Sequence, residues 1–135
     1  MTSENLTVGE QTERLDSLMR LNRLRAETLQ PEHPAPGHYL ALDDGEERKL
    51  LALEQRITHI GRGFSCEVVL EDQSVSRRHA IITRKRDTVR ILDDRSSNGT
   101  YVNGRQVSEA ELSDGDVIVL GRVILAYLEV PEPRV

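Results

Sequence analysis

The chain has 135 residues, with 18 Lys and Arg side chains against 23 Asp and Glu, for a formal net charge of −5. Nucleic-acid binding needs a basic surface for phosphates and, on single strands, aromatic side chains for stacking. An acidic chain with three Tyr, one Phe and no Trp is therefore not expected to be a general nucleic-acid binder.

The cysteine content and the first residues narrow the class of protein further. Cys66 is the only cysteine, so it forms neither an internal disulfide nor a cysteine-rich zinc site. Residues 1–16 lack the basic and apolar regions of a secretory signal, and no run reaches the ~18–20 apolar residues of a membrane span. We therefore expect a soluble cytoplasmic protein that uses no metal and no cofactor.

A helix is predicted over residues 10–29, after a polar start over residues 1–9. This segment lacks Gly and Pro and is rich in helix formers. Its apolar side chains roughly share one helical face: Leu15, Leu18, Met19, Leu24 and, at the margin, Leu21. Two interpretations of this narrow stripe stay open. The helix packs on its own domain or frays in solution, or it docks a second protein or a second copy of the chain.

A stiff linker is predicted for residues 30–37, QPEHPAPG, which contain three prolines and one glycine. We place a domain boundary at its end. The prediction is an N-terminal extension with its linker over residues 1–37, a folded domain over residues 38–130 and a short tail over residues 131–135.

From His38 onward the sequence consists of short β-rich runs, among them HYLAL, ITHIG, HAIITR, TVRILD and VIVLG. Turn-forming stretches such as DDGEER and LSDGD separate them. Many short strands at close spacing, without a helical pattern between them, predict an antiparallel sandwich or barrel. Because aromatic residues are scarce, its core must consist of Val, Ile and Leu.

Three segments carry residues that ordinary strands and turns do not need: HIGRG, SVSRRHA and DRSSNGTYVNG. Each lies at the end of a predicted strand, and strand-end loops of a sandwich gather at one edge. Arg presents a planar set of donors to phosphate oxygens, and Ser hydroxyls and turn N–H groups add directional hydrogen bonds. The Asn side chain offers both a donor and an acceptor, which suits hydrogen bonding to a peptide main chain. Gly61 and Gly99 allow the backbone turns that these loops need. These segments predict a local anion site on an acidic protein.

Taken in order, GR, SVSRRHA and DDRSSNGTYVNG resemble the forkhead-associated (FHA) domain family, the readers of phosphothreonine peptides. The resemblance covers about residues 38–130, and LSDGDVIVLG also looks like the family's penultimate hairpin region. It implies an all-β fold, an antiparallel FHA/SMAD-like β-sandwich of about eleven strands that binds its ligand with loops at one end. It also implies residue roles: phosphothreonine binding by Arg62, Ser76, Arg77 and Ser97, peptide-backbone binding by Asn98, and loop structure by Gly61, His79 and Gly99.

The function that this resemblance implies is a signalling adaptor that binds a phosphothreonine-containing protein downstream of a Ser/Thr kinase and performs no catalysis. A phosphate-independent scaffold is the alternative, and a nucleic-acid-binding accessory is a poorer one. Ser76 and His79 have the spacing of a nucleophile and its base, but no acidic third member or oxyanion-hole motif accompanies them. Arg78 and residues 84–86 are either solvated strand residues or widen the positive field. Cys66 is expected to be a small buried or half-buried residue.

The implied phosphothreonine pocket suggests a further role for the N-terminal extension, residues 1–37. A phosphorylated threonine within it would reach that pocket, because eight linker residues extend ~25 Å. Thr12 is the best candidate, with Leu15 three residues later, and Thr7 and Thr28 are the others. Docking of a second protein is favoured over self-binding, because self-binding leaves the leucine stripe without a role.

Overall fold

The computed structural model describes residues 34–43 and 48–133, and these residues form eleven β-strands and no helix. The helix predicted over residues 10–29, with its leucine stripe and the three candidate threonines, lies outside them. The strands are β1 (Gly37–Asp43), β2 (Arg48–Ala52), β3 (Ile57–Gly61), β4 (Val68–Val69), β5 (Ala80–Lys85), β6 (Thr88–Asp93), β7 (Thr100–Val102), β8 (Arg105–Val107), β9 (Glu109–Glu111), β10 (Val117–Leu120) and β11 (Val123–Val130).

The strands form a sandwich of two sheets, and the predicted all-β sandwich is confirmed. A six-stranded sheet has the order β2-β1-β11-β10-β7-β8, and a five-stranded sheet has the order β4-β3-β5-β6-β9. Neighbouring strands are antiparallel except β3 and β4, which pair in parallel at Ile60 and Val68. The first strand begins at Gly37 and the last ends at Val130. The division of the chain into extension, domain and tail stays a prediction.

The core between the sheets follows the two-residue alternation of the strands. Ile82 on β5 and Ile91 on β6 belong to the same buried apolar cluster as Ile118 on β10 and Leu125 on β11. Val, Ile and Leu dominate that cluster, as the composition predicts. Tyr127 is the aromatic exception: it is fully buried, and its hydroxyl lies 2.7 Å from His38 Nδ1 and 2.9 Å from Glu129 Oε2.

The strand pairing brings the three predicted site segments to one edge of the sandwich. The end of β3 lies beside the start of β5, because Ile60 pairs with Ala80 in an antiparallel register. The end of β6 lies beside the same point, because Asp93 also pairs with Ala80. In the other sheet Thr100, at the start of β7, pairs with Leu120 at the end of β10. The β3–β4, β4–β5, β6–β7 and β10–β11 loops therefore share this edge.

Candidate functional site

Arg62 follows the last residue of β3 and is partly held by the β4–β5 loop. Its backbone N–H donates to Ser76 O at 3.0 Å, and its side-chain Nε donates to Val75 O at 3.0 Å. Within the described part of the chain, its two terminal Nη groups have no hydrogen-bond or ion-pair partner. The loop therefore fixes the guanidinium through one nitrogen and leaves the other two available for an anion.

Ser76 joins the β4–β5 loop to the β6–β7 loop. The backbone N–H of Ser97 donates to Ser76 Oγ at 2.9 Å. Since that hydroxyl oxygen acts as an acceptor here, its own hydrogen is still available to donate to an anion. The Ser97 side chain is exposed beside it.

His79 lies beneath these two loops and is fully buried. The Ser76 N–H donates to His79 Nδ1 at 3.0 Å, and His79 Nε2 lies 2.8 Å from Gly99 O. A backbone N–H can only donate, so Nδ1 is the acceptor and Nε2 carries the hydrogen that it donates to the carbonyl. The ring thereby links the two loops through both of its nitrogens.

Asn98 is exposed and held from one side. Its Nδ2 donates to Ser74 O at 2.8 Å. The second Nδ2 hydrogen and the Oδ1 acceptor have no partner among the described residues. A side chain that is fixed at one atom and offers one donor and one acceptor can pair with a peptide main chain.

Gly61 and Gly99 occupy positions where a side chain does not fit. A Cβ on Gly61 would lie 2.2 Å from Arg77 O, so the close approach of β3 to the β4–β5 loop requires glycine. Gly99 has a φ of +87°, in the left-handed region that favours glycine, and a Cβ there would lie 2.8 Å from Gln106 Nε2. Its N–H donates to Ser96 Oγ at 2.9 Å.

The arginines of the SVSRRHA segment differ in their surroundings. The Arg77 side chain is exposed and has no partner among the described residues, while its carbonyl accepts from Gly63 N at 3.1 Å and Cys66 Sγ at 3.3 Å. Arg78 instead pairs with Asp94, with Nε 3.1 Å from Oδ2. Burial raises the pKa of the Cys66 thiol, which suits a packing role for this side chain.

A family comparison agrees with this geometry. A model described as the FHA domain matches residues 58–121. A structure of the FhaA FHA domain, complexed with the intracellular domain of Rv3910, is 38% identical; the match covers 67% of this chain and 99% of that one, with a TM-score of 0.64. The chain belongs to the FHA domain family.

Other relatives of this FHA domain are similarly close. A structure from an analysis of phosphothreonine-dependent FHA domain interactions is 38% identical, covering 70% of this chain and 98% of that one, with a TM-score of 0.65. The glycogen accumulation regulator GarA of Mycobacterium tuberculosis is 39% identical over 80 residues, 59% of this chain and 49% of GarA. The oxoglutarate dehydrogenase inhibitor of Corynebacterium jeikeium is 41% identical over 76 residues, 56% and 53% of the two chains. The chain spans about half the length of these curated relatives.

Two carboxylates organise the loops of this FHA domain, and sequence reasoning missed both. Asp93 Oδ1 accepts from the hydroxyls of Ser96 at 2.5 Å and Thr100 at 2.7 Å, and Asp93 Oδ2 accepts from Ser96 N at 3.2 Å. Asp72 Oδ1 accepts from the Ser74 hydroxyl at 2.6 Å and from its N–H at 2.8 Å. The signal that would have found them is the Asp-x-x-Ser and Asp-x-Ser spacing of side-chain-stabilised turns.

These hydrogen bonds lower the pKa of both carboxylates. Partial burial raises the pKa of Asp93, but the Ser96 and Thr100 hydroxyls and the Ser96 N–H outweigh burial and leave the pKa below its usual value. For Asp72 the pKa is likewise lowered: burial opposes the shift, and the Ser74 hydroxyl, the Ser74 N–H and the nearby Arg122 guanidinium outweigh it. Both groups are therefore ionised at neutral pH.

Residues 84–86 lie away from the site. They are at the end of β5 and in the turn that follows, whereas the site is at the start of that strand. Arg84 donates there to Glu54 O at 3.3 Å. The RKR run therefore does not border the loops that carry Arg62 and Ser76.

The Ser76–His79 pair does not have the geometry of a nucleophile and its base. His79 Nδ1 accepts from the Ser76 backbone N–H rather than from its hydroxyl, and Nε2 is bound to a carbonyl. Residues 34–43 and 48–133 also contain no group of three or more His, Cys, Asp or Glu placed to hold a metal. Over the same ranges no helix has the length and apolar character to cross a membrane.

Gly61→Ala is expected to destabilise the domain by about 2–3 kcal/mol, because its Cβ would overlap the Arg77 carbonyl oxygen at 2.2 Å. Gly63→Ala is the matched control, since the same oxygen is 3.1 Å from its Cβ and a small shift relieves the contact. Urea unfolding followed by circular dichroism measures both. Equal losses of stability in the two variants would contradict the close approach at Gly61.

Asp93→Asn is expected to lower the free energy of unfolding at pH 7 by about 1–3 kcal/mol, because an amide accepts fewer of the three hydrogen bonds. The lowered pKa of Asp93 in the folded state means that its contribution is complete above the unfolded pKa of about 4 and is lost as pH falls through the folded value. The variant should therefore lose less stability than the wild type on acidification below about pH 4. Asp87→Asn, in the β5–β6 turn, is the control, and parallel pH profiles for wild type and Asp93→Asn would refute this role.

Proposed function

We propose that this chain binds a phosphothreonine-containing segment of a partner protein, as an adaptor downstream of a Ser/Thr kinase, and that it catalyses no reaction. The observation that carries the proposal is the 2.9 Å hydrogen bond from Ser97 N to Ser76 Oγ. It joins two loops at the point where the hydrogen-bond donors that lack partners among the described residues are concentrated.

The phosphate would be held by charge and by directed hydrogen bonds. The Nη groups of Arg62 supply the charge-assisted bonds, and the Ser76 hydroxyl hydrogen supplies a short neutral one. The exposed side chains of Arg77 and Ser97 border the same loops and assist. Because Arg62 is already fixed through Nε to Val75 O, little of its conformational freedom is lost when it binds.

A peptide fits this site better than a free phosphate does. Asn98 offers one donor and one acceptor beside the phosphate donors, which matches the main chain of an extended segment. Phe64 lies two residues after Arg62 and is 96% exposed, so the same loop presents an aromatic surface to solvent. Aromatic side chains of this kind are enriched among residues that dominate protein–protein binding energy.

The relatives support a regulatory role that works by binding. One similar structure belongs to an analysis of phosphothreonine-dependent FHA interactions, and another is a complex between an FHA domain and an intracellular protein domain. The curated relatives are named as a regulator and as an inhibitor. A chain that binds a partner once a kinase has phosphorylated it would likewise act as a regulator through binding.

Arg62→Ala should weaken binding of a library-selected phosphothreonine peptide by about 2–5 kcal/mol, because it removes the charge that faces the phosphate. The melting temperature should hardly change, since the side chain makes a single hydrogen bond to the described residues. Arg105→Ala on β8 is the control with the same change in charge, and its affinity should equal that of the wild type within error. Calorimetry measures the affinities. An Arg62→Ala variant that keeps its affinity, or that unfolds, would overturn the assignment.

The same peptide with phosphoserine should bind ~5–10-fold more weakly than with phosphothreonine, because a buried methyl group contributes about 1 kcal/mol. The unphosphorylated peptide should show no measurable binding. These three peptides, titrated in parallel, distinguish the proposal from its alternatives. If the phosphoserine peptide binds as tightly as the phosphothreonine peptide, the site does not select threonine. If the unphosphorylated peptide binds as tightly, the chain is a phosphate-independent scaffold.

A further inference from the structure

The β6–β7 loop runs alongside the β4–β5 loop and is bound to it at two points. The backbone N–H of Asp94 donates to His79 O at 2.9 Å, and the backbone N–H of Ser97 donates to Ser76 Oγ at 2.9 Å. The two segments therefore run in opposite directions, and the residues between these two hydrogen bonds lie opposite one another.

Arg77 and Arg95 occupy this stretch, one on each segment. Both side chains are exposed, and neither has a hydrogen-bond or ion-pair partner among the described residues. Ser96, which also lies in this stretch, is turned inward, because its hydroxyl donates to Asp93 Oδ1 at 2.5 Å. Two exposed arginines therefore lie on adjacent segments, and no carboxylate of residues 34–43 or 48–133 pairs with either of them.

The carboxylates nearest to Arg95 in sequence are bound to other groups. Asp94 Oδ2 accepts from Arg78 Nε at 3.1 Å, and Asp93 accepts from the hydroxyl and the N–H of Ser96. Arg95 has a φ of +59°, in the left-handed region, and the bonds made by the residues on both sides hold the backbone there. The backbone of Arg95 is therefore fixed, while its charge is not met by a described carboxylate.

A phosphothreonine alone does not require this third arginine. Its phosphate carries a charge of about −1.5 to −2 at neutral pH. Arg62 and Arg77, the arginines assigned to the phosphate, carry two positive charges and balance it. The charge of Arg95 exceeds that balance, and a like charge beside Arg77 is unfavourable unless a further anion is present.

We propose that Arg95 binds an acidic side chain, Asp or Glu, of the peptide that carries the phosphothreonine. This role rests on the proposed function, and it adds a preference for partners with an acidic residue near the phosphorylated position. Arg95 precedes Ser97 by two residues, so their Cα atoms are at most ~7 Å apart. An extended peptide advances ~3.3 Å per residue, which places the acidic residue about two to four positions from the phosphothreonine.

A phosphothreonine peptide library, randomised on both sides of the phosphothreonine, tests this proposal on the full chain. We expect the wild type to enrich Asp and Glu at one flanking position. Arg95→Gln should lose that enrichment and still require the phosphate. Arg86→Gln is the matched control, because Arg86 is also exposed and has a φ of +58°, but lies in the turn after β5, away from the site. It should enrich the same acidic residues as the wild type.

Calorimetry with two peptides, which carry Glu or Gln at the enriched position, measures the contribution of the pair. The Glu peptide should bind the wild type and Arg86→Gln about two- to fivefold more tightly than the Gln peptide, as expected of an exposed ion pair. This difference should disappear in Arg95→Gln. It should also shrink in the wild type as the salt concentration rises, because salt screens exposed charges.

The outcomes separate this role of Arg95 from the proposed function. No acidic enrichment in the wild type, or an unchanged preference for Glu in Arg95→Gln, would overturn the role. Equal weakening of both peptides in Arg95→Gln would assign Arg95 to the phosphate and overturn it as well. In these cases binding still depends on the phosphate, and the proposed function stands. Binding by the wild type that does not depend on the phosphate would overturn both.

Discussion

The two hydrogen bonds of the buried His79 imidazole are the interactions on which the arrangement of the site depends. It accepts the Ser76 N–H and donates to the Gly99 carbonyl, so one ring sets the separation of two loops that are distant in sequence. With the Ser76 backbone fixed, its hydroxyl lies where the Ser97 N–H can reach it. With Gly99 fixed, the preceding Asn98 is placed against Ser74 O. Loss of the ring would leave a partly buried N–H and a buried carbonyl without these partners, and an unsatisfied buried group costs about 1–3 kcal/mol.

The charge distribution follows from the same arrangement. Asp93 and Asp72 lie close to the proposed anion site, yet their oxygens are occupied by hydroxyl and N–H donors of the loops themselves. Arg78 is neutralised by Asp94, whereas Arg62 and Arg77 have no carboxylate partner among the described residues. The two carboxylates therefore hold the loops in place, and the two arginines remain available for the proposed anion. A chain of net charge −5 can hold an anion in this way while its overall charge discourages indiscriminate phosphate binding.

The sandwich and the grouping of its loops could be predicted from sequence because the determining residues are local. Apolar runs with turn signals predict the strands, and antiparallel pairing brings the ends of β3 and β6 to the start of β5. The hydrogen bonds that these polar residues make within the protein could not be predicted, because they depend on distances across loops. Nothing in the sequence shows that Arg62 Nε donates to Val75 O, or that the Thr100 hydroxyl donates to Asp93. The burial of both faces of β11 had a signal, since VILAYLEV is apolar at both alternations, which is typical of a buried strand.

The central claim is that three loops, positioned by His79, form one phosphate-dependent peptide site. Amide and side-chain NMR shifts on titration with a phosphothreonine peptide test it most directly. The account predicts saturable shifts at Arg62 Nε–H, at the Ser76 and Ser97 amides and at the Asn98 side-chain amide, and none of these with the unphosphorylated peptide. Shifts confined to other surfaces, or the same shifts with both peptides, would contradict it.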